Sequence, residues 1–382
     1  MTRESSFACS RTLRAVTAPL RILLIRPSAL GDVARSAPVL ASLRAAYKDA
    51  HIAWLLSEGF EDVVRAHPAL SEIVAFPRRR LRRWWTPRGL RDSFAYCRAL
   101  RGRFDLVIDA QGLFRSGIFA WSTGARRRVG FRDAREGGWI FSNERIRIPS
   151  DAASQHAVGR MLALLEGARI PAIADARLYT PSDSKERWHD FARKEGVSGK
   201  IAILASTSRW ASKDWPRERW SELAEALIAR GFDRVLYTGT ANERTAVAAA
   251  MPQGRARQLA IDLAGRIDLG TMMAAIEASE LVIANDSAAM HIAAGLQRPL
   301  LGLFGPTDPR EAAPLHRARS VVTSDASRAF LAQGGHYRDR GLGDALMRTI
   351  SVESVLAALD AGQHLEGLAT IPPATKSAVE AV

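Results

Sequence analysis

Cysteine is nearly absent: 382 residues contain two, Cys9 and Cys97. Two so widely spaced supply neither a disulfide framework nor the paired spacing of a zinc site. They fit a reducing compartment. No run of about 18 apolar residues occurs, so no membrane-spanning helix is expected. The opening MTRESSFACSRTLRAVTAPL has basic residues but no continuous apolar stretch, so no secretory signal is expected. There is no Walker lysine motif, and no GxGxxG follows the first apolar run. A P-loop nucleotidase and a dinucleotide oxidoreductase are therefore disfavoured. No His, Asp or Glu cluster has metal-ligand spacing, so no metal is expected.

Acids are the minority charge: 40 Asp and Glu against 54 Lys and Arg, a net +14. Such an excess suits nucleic acid, an anionic membrane surface or an anionic substrate. It is concentrated. Arg78, Arg79, Arg80, Arg82 and Arg83 fall within six residues, followed by Trp84, Trp85, Arg88 and Arg91. A second cluster is Arg126, Arg127 and Arg128. An arginine run can be a solvated face. Paired tryptophans beside it favour a surface that meets an amphipathic, anionic partner. No recognised nucleic-acid module accompanies the charge, so a specific nucleic acid is not expected.

What is present is an alternation of strand and helix patterns. Strands are expected over 21–26, 51–57, 72–77, 105–112 and 127–131, with helices over 39–47, 61–66, 90–101 and 115–122. A helical stretch at 150–168 leads into a connector at 170–183. The rhythm restarts with strands over 201–206, 233–239, 259–263, 281–286 and 299–305, and helices over 220–230, 242–251, 269–279, 288–296 and 352–361. This predicts an α/β chain of two doubly wound parallel domains whose ligand-binding rims face a cleft. The expected division is an extension at 1–20, domains at 21–175 and 176–361, and a loose tail at 362–382. The last helix is free to pack back on the first domain.

Four stretches carry the chemistry, each where a strand ends. In PSALGDVARSAP, Asp32 follows Gly31 at the turn after the first strand. It can cap the helix or act as a base beside a phosphate bound at the helix N-terminus. Asp109, Gln111 and Gly112 end the fourth strand in DAQGL. STSRWASKDWP supplies Ser206, Thr207, Ser208 and Lys213. In ANDSAAMHIAAG, Asp286 and Ser287 open a helix that carries His291, and FGPTDP follows the next strand. Asp286 and Ser287 also suit capping, His291 also suits a buried helix histidine, and Lys213 also suits a solvated loop.

Together these stretches resemble glycosyltransferase family 9, the ADP-heptose:lipopolysaccharide heptosyltransferases, over about 21–361. SALGDV is similar to the family's first-turn signature, KDWPRERW to its second-domain loop and FGPTDP to its last signature. DAQGL, GFRDARE and QHAV resemble its heptosyltransferase I branch. The resemblance implies a GT-B fold of two Rossmann-like domains. It implies metal-independent, inverting transfer of heptose from ADP-heptose to the Kdo of the lipopolysaccharide inner core. No cofactor is implied, because ADP-heptose is a substrate. Asp32 would be the general base. Lys213 would hold donor phosphate, with Ser206, Thr207 and Ser208 beside it. Glu243 would bind the adenosine ribose. Asp286, Ser287 and Ala288 stand where the family has Asp-Thr-Gly, with His291 following. Ser28, Gly31, Arg79, Arg80, Arg83, Asp109, Gln111 and Gly112 would meet a lipid A–Kdo glycolipid acceptor. The implied location is cytoplasmic, peripheral on the anionic inner face of the cytoplasmic membrane. Another donor or acceptor within the family is the alternative, and a basic nucleic-acid-binding protein a remote one.

Overall fold

The computed structural model describes residues 19–83, 85–151, 156–335 and 340–368. Expectations on Cys9, Trp84 and Gln155, and on most of both termini, lie outside the described residues.

The first sheet contains β1 (Arg21–Ile25), β2 (His51–Ser57), β3 (Glu72–Phe76), β4 (Leu106–Asp109), β5 (Arg127–Phe131) and β6 (Glu144–Ile146). The second contains β7 (Ile201–Ala205), β8 (Arg234–Tyr237), β9 (Ala260–Asp262), β10 (Leu281–Asn285), β11 (Leu300–Leu303) and β12 (Val321–Val322). The orders are β3-β2-β1-β4-β5-β6 and β12-β11-β10-β7-β8-β9, so both sheets follow one winding scheme. Every pairing is parallel. Parallel sheets are covered on both faces, which is why β2, β7 and β10 read as continuous apolar runs and are buried almost throughout. Strand order reverses direction between β1 and β4, and between β7 and β10. Ligands of open α/β sheets bind at such switch points, beyond the strands' carboxyl ends.

Helices α1 (Leu30–Ala34), α2 (Ala37–Ala46), α3 (Pro87–Leu100), α4 (Phe114–Ser122) and α5 (Ala157–Gly167) accompany the first sheet. Then come α6 (Ser182–Glu195), α7 (Arg217–Ala229), α8 (Arg244–Ala250), α9 (Leu269–Ala278) and α10 (Ala288–Gly295). The last are α11 (Pro309–Ala312), α12 (Asp325–Ala332), α13 (Arg340–Arg348) and α14 (Val352–Asp360).

One apolar core runs from Ile22, Leu24 and Trp54 of the first sheet to Ile203, Met290 and Ile292 of the second domain. Away from the cleft the domains are also tied by charge. Arg65 pairs with Asp183 at 2.6 Å, and Asp62 accepts the Gly270 N–H at 3.0 Å.

Several expectations change. The helix expected at 61–66 is a short 3₁₀ turn, Glu61–Val63. The first helix is two, α1 and α2, meeting at Ser36. Helix α6 falls partly in the expected connector; its sequence is so polar that only Ser184 and Trp188 are buried. Strands β6 and β12, three and two residues long, are too short to show a period. Helix α14 does not pack on the first domain: Val352, Val355 and Ala358 join a core built wholly from second-domain residues. Residues 362–368 of the expected loose tail are held, Glu366 accepting the Ser320 N–H at 3.0 Å.

Candidate active site

The first switch point is built by two turns. After β1 the chain reaches Ala29 and enters α1, with Asp32 on its first turn. Asp32 Oδ2 accepts the Ala29 N–H at 3.0 Å, so the carboxylate helps start its own helix. Its other oxygen meets cations. Arg35 donates to Oδ1, and Arg26 Nη2 lies 3.4 Å from it. Burial pushes the Asp32 carboxyl up, but Arg35, Arg26 and the Ala29 N–H outweigh it and hold it at about 2. Asp32 is ionised throughout the physiological range, with a quarter of its side chain exposed.

After β4, Asp109 is buried and its oxygens are spent locally. Oδ1 accepts the N–H groups of Gln111 and Gly112 at 3.0 and 3.1 Å, and Oδ2 accepts from Ser116 Oγ at 2.9 Å. Asp109 therefore shapes this turn rather than facing the cleft. Gln111 links the two turns, its Oε1 accepting the Ser28 N–H at 3.4 Å. Burial raises the Asp109 carboxyl to about 6 against those hydrogen bonds and Arg26.

The second switch point faces it. Asn285, at the end of β10, donates to Ser206 O at 3.0 Å and accepts the Trp215 N–H at 3.3 Å. It thereby pulls the loop after β7 against β10. Across this junction Lys213 Nζ lies 2.5 Å from Asp286 Oδ2. Helix α10 starts next, with Ser287 at its N-cap position but no side-chain cap. Capping by Ser287 is thus corrected. Unsatisfied first-turn N–H groups and the helix dipole favour an anion there. The hydroxyls of Ser206, Ser287 and Thr307 are buried without a hydrogen-bond partner among the described residues. They follow β7, β10 and β11, three adjacent strands. Beside them Asp214 Oδ1 accepts the Ser208 N–H at 2.8 Å. Burial raises Asp214 to about 6, aided by the nearby charge of Glu243. Glu243 Oε2 accepts from Thr240 N and Oγ1 at 2.7 and 2.6 Å.

The two switch points touch. A Cβ on Gly31 would lie 3.1 Å from His291 Cδ2 and 3.4 Å from the Ala288 Cα, so α1 approaches α10 as closely as glycine permits. His291 is buried in this contact, and burial followed by Arg35 lowers its pKa to about 4, leaving a neutral ring. The structure thus gathers Ser28, Gly31, Asp32, Gln111, Asp286, Ala288 and His291 around one cleft. Arg26, Arg35 and Asn285 were not anticipated. Only Arg35 left a sequence signal, its i,i+3 spacing from Asp32 on a short helix.

The arginine run lies apart from this cluster. Arg78, Arg79, Arg80, Arg82 and Arg83 are exposed and Leu81 anchors their 3₁₀ turn. They follow β3, the edge strand two places out from β1. The turn is pinned by α3, where a Cβ on Gly89 would collide with the Arg83 carbonyl oxygen. Among the described residues no group of three or more His, Cys, Asp or Glu is set to hold a metal.

Two matching switch points face to face form the framework, and comparison with known proteins identifies it. Residues 93–331 match the model of glycosyltransferase family 9 (heptosyltransferase). The chain belongs to that family. It is 31% identical to lipopolysaccharide heptosyltransferase 1 of Pseudomonas aeruginosa over 315 residues, covering 80% of this chain and 84% of that one. The Escherichia coli K12 protein of the same name is 26% identical over 300 residues, 76% of this chain and 89% of that one. Among solved structures, E. coli ADP-heptose lps heptosyltransferase II superposes with a TM-score of 0.70 at 23% identity, covering 90% of this chain and 98% of the other. E. coli heptosyltransferase WaaC with ADP-2-deoxy-2-fluoro heptose gives 0.67 at 21%, covering 90% and 100%. The fold of this family 9 glycosyltransferase is GT-B.

Proposed function

We propose that the enzyme is an inverting heptosyltransferase that moves heptose from ADP-heptose to the Kdo of the lipopolysaccharide inner core. The observation that carries this is the close approach of α1 to α10, which sets the Asp32 carboxylate opposite an anion site made by Lys213 and an uncapped helix. The name carried by the P. aeruginosa relative supports the heptose and the lipopolysaccharide. ADP as the carrier follows from the sequence resemblance.

The acceptor hydroxyl gives its proton to Asp32 as its oxygen bonds to the anomeric carbon. The bond from that carbon to the β-phosphate oxygen breaks, and its electron pair leaves with ADP. Attack opposite the leaving group inverts the centre. A carboxylate held this acidic takes the proton late, once the forming C–O bond has acidified the hydroxyl. Charge on the departing diphosphate falls to Lys213 and the α10 N–H groups, which need no reorganisation and no metal.

The acceptor lies on the first domain, with Gln111, Gly112 and the arginine turn around it, and the donor on the second. A membrane-facing side follows from charge and exposure. On α3, Leu90 and Phe94 lie one turn apart and outward, between Arg88, Arg91 and Arg98. On α4, Phe114 and Trp121 are also exposed. Asp92 is the only acid between 77 and 104, and it lies 3.8 Å from Arg80 and 3.7 Å from Arg91. Aromatic rings among arginines suit an anionic bilayer surface. No helix of the described residues is long and apolar enough to cross one. We read the enzyme as peripheral on the cytoplasmic face of the membrane, a reading supported by this arginine-rich, aromatic surface and by the family resemblance.

One assay tests the reaction: a panel of nucleotide sugars, ADP-heptose among them, on Kdo–lipid A, with and without EDTA. Transfer from ADP-heptose, insensitive to EDTA and with inverted anomeric configuration by NMR, is expected. Preference for another donor overturns the heptose assignment and leaves the family intact.

A further inference from the structure

We propose that Arg35 is a positioning residue that leaves Asp32 for a carboxylate on the acceptor, so that acceptor binding itself releases the base. This rests on the reading above of Asp32 as the base and of Kdo, a sugar acid that carries a carboxylate, as the acceptor.

Asp32 Oδ2 is occupied by the Ala29 N–H. Oδ1 is left to take a proton, and two guanidiniums share it. They are not equivalent. Arg26 is almost wholly buried, also donates to Ala110 O and lies in the field of Asp109. Both arginines have a buried Nε without a partner among the described residues, but Arg35, unlike Arg26, makes no side-chain hydrogen bond there except to Asp32. Arg26 is anchored; Arg35 is free to exchange.

The groups facing Arg35 from neighbouring elements support that exchange. His156, at the start of α5, has its pKa lowered by burial. Its Nδ1 accepts the Val158 N–H, so Nε2 carries the proton donated to Ala313 O. His291 on α10 is neutral too. Asp286 is engaged by Lys213. Between these neutral or occupied groups, Arg35 is the cation an incoming carboxylate meets beside Asp32. A guanidinium binds a carboxylate through two parallel donors. Withdrawing one cation from Oδ1 makes Asp32 a stronger base when the hydroxyl arrives.

The test compares wild type, Arg35→Met and Arg35→Lys on Kdo–lipid A and on its Kdo carboxamide. In wild type the carboxamide should lower acceptor kcat/KM roughly tenfold or more, as for a lost charged hydrogen bond. In Arg35→Met the same change should matter by less than about threefold, because the carboxylate has already lost its partner. The acid limb of kcat/KM should also move up by about one pH unit or more in Arg35→Met, and Arg35→Lys should recover part of the acceptor KM. Equal carboxamide losses in both proteins, or a slower enzyme with an unmoved acid limb, overturn the proposal. Calorimetry with free Kdo and its amide, without donor, separates it from the reaction assigned above. Kdo bound by wild type but poorly by Arg35→Met supports Arg35 even if heptose is not transferred; equal binding overturns it.

Discussion

Lys213 Nζ and Asp286 Oδ2 lie 2.5 Å apart, one on the loop after β7 and the other at the end of β10. Their side chains are 12% and 9% exposed, so neither charge is left to water. The pair bridges the second switch point and fixes a cation at the start of α10. A buried pair is costly to break from one side, because the partner stays charged and unpaired.

Lys213→Ala should therefore do two separable things. It should weaken ADP binding roughly tenfold or more, read by calorimetry, through loss of a charged contact. It should also lower the melting temperature. Adding Asp286→Asn should return much of the lost stability without returning ADP affinity. If the double variant recovers both, Lys213 is structural only.

Asp32→Asn should reduce turnover on the order of a hundredfold to ten-thousandfold, the usual cost of losing a general base. ADP affinity should stay near wild type, since the proposed donor site belongs to the other domain. An asparagine cannot accept a proton but its carbonyl can still accept the Ala29 N–H, so the start of α1 survives. Turnover within a few fold of wild type would reduce Asp32 to its local role in that helix.

Strand ends were legible because parallel strands, buried on both faces, are written as apolar runs bracketed by turn residues. That pattern alone puts Asp32, Asp109, Ser206 and Asp286 where parallel strands end. Asp109 reads in sequence as an acceptor contact, yet it ties its own turn, for a physical reason. A carboxylate after a strand looks the same in sequence whether it faces a cleft or ties its own turn, and only the Gln111, Gly112 and Ser116 hydrogen bonds decide. Arg26 was hidden as the last residue of an apolar run. Helix α6 was missed because the stripe it buries is only Ser184 and Trp188. The contact of Gly31 with His291 joins residues 260 apart in sequence, a distance no local pattern spans.

Asp109 makes a prediction about pH. Its carboxyl keeps its proton to about pH 6 in the folded enzyme, but only to the ordinary value near 4 when unfolded. Between those values the native state binds more protons, so this residue's contribution to stability falls as pH rises through that window. The expected loss is on the order of 2–3 kcal/mol. Asp109→Asn should remove it, since the amide oxygen can serve Gln111 and Gly112 while its N–H₂ donates to Ser116 Oγ. Denaturant titrations at pH 4.5 and 7.5 should show a smaller difference for the variant than for wild type. An unchanged difference would mean that Asp109 is not the titrating group.

The outward face of α3 and α4 supplies the last test. Phe94 and Trp121 are 70% and 62% exposed, and burying such rings in a bilayer interface gains on the order of 1–2 kcal/mol each. Arg79 and Arg83 are exposed as well, and each basic residue near an anionic surface adds about 1 kcal/mol. Phe94→Ser with Trp121→Ser should weaken binding to phosphatidylglycerol vesicles roughly tenfold or more at any salt concentration. Arg79→Gln with Arg83→Gln should weaken it at low salt and little at high salt, because only the charge component is screened. Both pairs should keep ADP affinity. The serine pair should also keep its rate on a detergent-dispersed acceptor, whereas the glutamine pair should raise acceptor KM there if, as proposed, those arginines flank the acceptor. If the serine pair binds vesicles as wild type does, this face is not the membrane side, and the arginine turn alone brings the enzyme to its acceptor.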